Sequence, residues 1–153
     1  MNRKIWLFAC AALAVAAVPP GYQHWTAEQM RARNRALPGK MDALKDAAET
    51  IGSFGNHSII ASHREASGKV EVHENKVDIM FIESGGATML VGGKVQGGKE
   101  TAPHEIRGSG IEGGERQALH PGDILHIPAR TPHQFLLDPG QKIDYYTVKV
   151  AVP

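Results

Sequence analysis

Four side chains in this 153-residue chain could act together in coordination or acid–base chemistry: Glu71, His73, Asp78 and His133. Glu71 and His73 are two apart in a short Val-rich run, so on a strand both point to one face. Asp78 opens the next apolar run, beyond a short polar turn. His133 closes the stretch Gly122-Asp123-Ile124-Leu125-His126-Ile127-Pro128-Ala129-Arg130-Thr131-Pro132-His133. There a Gly-Asp turn leads into an alternating run that stops at Pro128, and an Arg-Thr-Pro turn delivers the imidazole at the start of another strand. Two imidazoles with one or two carboxylates suit Mn, Fe, Zn, Ni or Cu, and a two-His-one-carboxylate face with open positions serves non-haem iron. The same residues also admit a metal-free reading. His73 would then be hydrogen-bonded beside Glu74 and Asp78, and His133 would simply make a good strand entry.

The spacing Gly122-x5-Pro128-x4-His133 resembles the second conserved motif of the cupins, small antiparallel β-barrels in which this His is commonly a metal ligand. Glu71-x-His73-x4-Asp78-x6-Gly85 resembles their first motif, which usually carries His, His, Glu and Gly. Here Glu71 stands where the first His is expected, Asp78 replaces Glu, and Leu137 takes a position where the family often has Asn. The resemblance implies one cupin-like jelly-roll barrel binding a divalent ion (Mn, Fe, Zn, Ni or Cu). His73 and His133 would be neutral nitrogen ligands and Glu71 an oxygen ligand. Asp78 would either complete the shell or orient His73. Dioxygenase, isomerase and lyase reactions on a small molecule are the implied chemistries, and the fold does not choose among them. The alternatives are a non-catalytic sensor or binding module for a small anionic ligand, and a purely structural barrel.

Two further residues are candidates for substrate binding. One of His63 and Arg64 must face inward on its strand, and an inward Arg64 would favour a carboxylate or phosphate. Tyr145 and Lys149 alternate with Tyr146 and Val148 on the last strand, and an inward Tyr145 could hydrogen-bond a substrate.

The elements that must position these groups are mainly strands. Two short helices come first, in a segment over 18–55. One spans 25–37, with Thr26 as N-cap and Gln29 three residues on. A second spans 40–50, from the spacing of Met41, Leu44, Ala48 and Ile51. Arg31, Arg33 and Arg35 read as a solvated helix face. The barrel domain covers 56–153, with strands at 58–64, 69–73, 78–83, 87–91, 117–119, 123–127, 133–137 and 143–150. The polar, Gly-rich stretch from Val95 to Glu115 reads as a long loop. Many short strands separated by turn signals argue for a jelly roll. Strand 143–150 reads as an edge through which a homodimer could form.

Residues 1–17 read as a signal peptide. Arg3 and Lys4 precede an apolar run rich in Ala, Ala14-Val15-Ala16 fits the small-x-small cleavage rule, and the run is short for a membrane span. Cleavage removes Cys10, the only cysteine, so the mature domain has neither disulfide nor thiol nucleophile. That combination points to a bacterial periplasmic or secreted protein held together by its core. Cleavage also changes 17 basic against 16 acidic residues to 15 against 16, a formal charge of −1. Neither nucleic acid nor, after cleavage, a membrane is expected as a partner. The sequence has no Gly-x-Ser-x-Gly elbow, Walker loop or His-Glu-x-x-His helix.

Overall fold

A computed structural model describes residues 18–153; the predicted signal peptide lies outside them. The described chain is mainly β and folds as two facing antiparallel sheets. The first runs in the order β1 (Asp46–Ser53), β2 (His57–Arg64), β13 (Ile143–Ala151), β4 (Lys76–Gly85) and β11 (Ile124–Ile127). The second runs β10 (Glu115–Leu119), β5 (Ala87–Val91), β12 (His133–Leu136), β3 (Val70–His73), β8 (Glu105–Gly108) and β7 (Lys99–Ala102). A small ribbon pairs β6 (Lys94–Gln96) with β9 (Gly110–Glu112). The sheets do not close into a continuous barrel.

The period of two decides what lies between the sheets. On β4, Asp78, Met80 and Ile82 face inward, opposite Lys149, Thr147 and Tyr145 of β13. One end of these rows is apolar. There Ile82, Ile143 and Tyr145 meet Met89, Leu119 and Phe135 of the other sheet, and the Phe135 and Tyr145 rings lie 4.7 Å apart. The other end, at Asp78 and Lys149, is charged. Gly85 ends β4 with φ of +74°, where a side chain would collide with the Lys142 carbonyl. That accounts for glycine at this position of the motif.

The N-terminal layer corrects the expectation of two α-helices. There is one, α1 (Ala27–Ala36), with the Thr26–Gln29 capping box formed, followed by a single 3₁₀ turn at Leu37–Lys40. Residues 46–53, assigned from sequence to a helical segment, instead form the edge strand β1. The Asp42 side chain accepts from the backbone N–H of Leu44 and Asp46 at 2.7 and 3.2 Å, and Lys45 adopts φ of +59°. This local turn, with pairing onto β2, outweighs the helical spacing. Met41 and Ile51 do pack with Leu37, Ala47 and Ala61, but Leu44 is 53% exposed. Arg33 is not free on a solvated face, since it pairs with Glu49.

Two other expectations fall here. The stretch 95–115 is not a loop, because β7 and β8 extend the second sheet beyond β3. Strand β13 is not an edge. It is hydrogen-bonded to β2 on one side and β4 on the other, so it offers no free backbone to a partner.

Leu37 is 1% exposed and anchors the N-terminal layer to the outer side of the first sheet. Leu37→Ala should cost roughly 2–5 kcal/mol, read from urea unfolding. An unchanged midpoint would show that this layer is not docked.

Candidate metal centre

Strand β3 projects Glu71 and His73 into the space between the sheets, and β12 sets His133 directly opposite Glu71 in register. The two imidazole rings lie 5.3 Å apart, and one donor atom from each of Glu71, His73 and His133 falls within 4.8 Å of the others. Asp78 enters from the facing sheet and is 1% exposed. Its Oδ2 lies 3.2 Å from His73 Nε2 and 3.7 Å from His133 Nε2. The four residues singled out from spacing are therefore neighbours.

The hydrogen-bond partners define which nitrogens are available. His133 Nδ1 is 3.0 Å from the Thr131 carbonyl. A carbonyl only accepts, so Nδ1 carries the proton and Nε2 holds a lone pair. That Nε2 is buried without a hydrogen-bond partner, and burial lowers the pKa of the ring. An unpartnered imidazole nitrogen beside carboxylates fits a divalent metal. The site thus passes the chemical test for an ion on Glu71, His73 and His133.

His73 is more heavily engaged. Its Nδ1 donates to Glu105 Oε2 at 2.5 Å, and Lys76 Nζ steadies that carboxylate at 2.9 Å. The opposite nitrogen, Nε2, faces Glu71 Oε2 at 3.4 Å. Burial disfavours a charged ring, but hydrogen bonds to Asp78 and Glu71 outweigh it and raise the pKa to about 9. Lys149 opposes that rise. Its Nζ sits 2.7 Å from His73 Nε2 and 2.8 Å from both oxygens of Asp78. Burial would raise both Glu71 and Asp78. Glu71 is held below the usual carboxylate range chiefly by His73 and Arg107, and Asp78 chiefly by His73 and Lys149.

Beside the cluster lies a cavity of about 180 Å³. Ile60, Met80 and Phe135 give it apolar walls, and Arg64, Arg107 and Tyr145 give it polar ones. Of the His63–Arg64 pair, Arg64 lines the cavity, yet both are buried. His63 turns to the other face, between Asp144 Oδ1 at 2.7 Å and Glu65 Oε1 at 3.1 Å. Arg64 Nη2 pairs with Asp46 Oδ2 at 2.9 Å, the guanidinium lies 5.8 Å from the Phe135 ring centre, and its Nε has no partner. Tyr145 lines the cavity with Arg64. Burial pushes its hydroxyl up to about 12, so it stays protonated at neutral pH.

Sequence reasoning missed Glu105, Arg107 and Asp46. Glu105 and Arg107 lie in the stretch read as a loop, where β8 pairs His73 with Glu105 and Glu71 with Arg107. A strand with one apolar residue, Ile106, carries almost no periodic signal. For Lys149 a signal existed, its alternation with Tyr145, but not the identity of its partner.

No protein-family model and no curated protein matches the chain. Solved structures match it in shape. A protein with a double-stranded β-helix domain from Klebsiella pneumoniae subsp. pneumoniae superposes with a TM-score of 0.53 at 13% identity, covering 72% of this chain and 80% of that one. For the DMSP lyase DddQ from Ruegeria pomeroyi the values are 0.51 and 16%, covering 70% of this chain and 47% of the lyase, so the chain spans about half of its length. The polyketide cyclase RemF from Streptomyces resistomycificus gives 0.50 and 15%, with 69% of this chain and 65% of the cyclase covered. The fold shared with these structures is that of a double-stranded β-helix.

Asp78→Ala should destabilise the protein by roughly 3 kcal/mol, because removing one member of a buried ion pair strands the other. The Asp78→Ala/Lys149→Met double variant should recover part of that loss in urea unfolding. Additive losses would show that the pair is uncoupled.

Proposed function

We propose that this protein is an exported, metal-dependent cupin that binds a small polar or anionic molecule between its sheets and transforms it. The observation that carries the reading is the convergence of Glu71, His73 and His133 donor atoms within 4.8 Å, with His133 Nε2 buried and unpartnered. The ion would come from the group Mn, Fe, Zn, Ni and Cu. When bound it supplies a Lewis acid that polarises a substrate oxygen.

The chain's own residues do the rest. Glu105 fixes the His73 ring through Nδ1, as hydrogen-bonded carboxylates do for metal-bound imidazoles. Arg64 and Tyr145 offer N–H and O–H groups to a carboxylate or similar oxygen on the substrate. The apolar wall at Phe135 and Met80 excludes water from the substrate body. Proteins of this fold include ones described as a lyase and a cyclase, which accords with small-molecule chemistry of the dioxygenase, isomerase or lyase type and does not choose among these. A metal-free binding module is the second reading, favoured by the presence of a cation, Lys149, already within the acidic cluster. Placement in the bacterial periplasm or outside the cell rests on Arg3, Lys4 and the apolar run before Pro19. No helix among the described residues is long and apolar enough to cross a membrane.

Protein purified without an affinity tag should carry roughly one divalent ion per chain by elemental analysis, and His73→Ala/His133→Ala should carry none. Equal metal content in the two would refute this ligand set. Glu105→Gln should weaken metal binding by about 10–100-fold without unfolding the chain, measured by chelator competition.

A further inference from the structure

We infer that Lys149 is a tethered cation that occupies the metal-binding position in the metal-free protein and must leave before an ion can bind. This inference rests on the metal reading above and adds a displacement step to it. Three observations support it. First, Lys149 is built into the site, since it lies directly across from Asp78 in the β13–β4 register. Its Nζ makes three short contacts, 2.8 Å to each Asp78 oxygen and 2.7 Å to His73 Nε2. Second, Glu105 engages His73 Nδ1, which leaves Nε2 as the ring atom open to an ion, and Lys149 Nζ already sits 2.7 Å from it, so the two cations cannot share that position. Third, Lys149 has somewhere to go. It lines the inner cavity and also a second, more open one bordered by Asn56, His57, Lys76 and Ala151, of similar volume at about 180 Å³.

The arrangement balances charge in both states. Without a metal, the ammonium neutralises Asp78 and the acidic cluster stays folded. With a metal, the ion takes over that role and the Lys149 amine turns outward towards the second cavity. The metal-free protein would therefore be stable, and its affinity for an ion would be reduced by the competition.

The test compares wild-type protein with Lys149→Met, both stripped by chelator and titrated with Zn²⁺. Met keeps the stem and removes the charge. The variant should bind Zn²⁺ roughly tenfold or more tightly, the scale of one charge-assisted hydrogen bond converted to an equilibrium constant. Stripped Lys149→Met should also melt below stripped wild type, with Zn²⁺ restoring it. A second readout needs no variant. Acylation of the Lys149 amine, followed by mass spectrometry of wild-type protein, should accelerate severalfold when Zn²⁺ is added. Equal or weaker Zn²⁺ binding by the variant, or amine reactivity that does not rise with Zn²⁺, overturns the inference while leaving the metal site standing. Failure of both proteins to bind Zn²⁺ overturns the metal reading and this inference together.

Discussion

A carboxylate almost wholly removed from water, Asp78, is the constraint around which the interior is arranged. Burial of such a charge is tolerated only with a positive or hydrogen-bonding partner. Lys149 supplies one across the β13–β4 register and His73 supplies the other from the facing sheet. That contact ties the two sheets together at their charged end, as the Phe135–Tyr145 contact does at the apolar end. The space between the two ends is the cavity, so its polarity gradient follows from which inward positions on β4 and β13 are charged.

The same constraint propagates outward. His73 can serve the cluster with Nε2 only because Glu105 fixes Nδ1, and Glu105 is itself held by Lys76. Glu71 is balanced by Arg107, 3.1 Å away, and Asp46 by Arg64. Each of these acids thus has its own base, and neither sign dominates the cavity. Such networks are worth little as sources of stability against a hydrophobic alternative. A pre-oriented set of donors and acceptors of this kind is what a small-molecule site requires.

The N-terminal layer has a different role. It covers the outer side of the first sheet with Leu37, Met41 and Ile51, while Asp46 and Ala48 of its strand β1 line the cavity. Its strand β1 contributes Asp46, the partner of Arg64, so the segment read as helical reaches the site after all. An edge strand carrying an inward acid can pair with β2 and still escape recognition, because short polar stretches have weak strand periodicity.

Local patterns carried a great deal of this protein. Turn residues and alternation placed β2 to β5 and β10 to β13 within a few residues, because each signal is written in contiguous chain. The pairing of Glu71 with His73 was legible for the same reason, and the motif spacing brought Asp78 and His133 to them. Tertiary structure alone decided the rest. Glu105 and Arg107 become site residues only once β8 docks on β3, and helix gives way to strand at 46–53 only once β2 offers a partner. The last strand is central rather than an edge because both of its flanks are filled by distant segments. Lys149 is the clearest case: alternation could place it on the same face as Tyr145, but not the carboxylate it would meet. Contacts between residues seventy positions apart depend on sheet register, which no local pattern encodes.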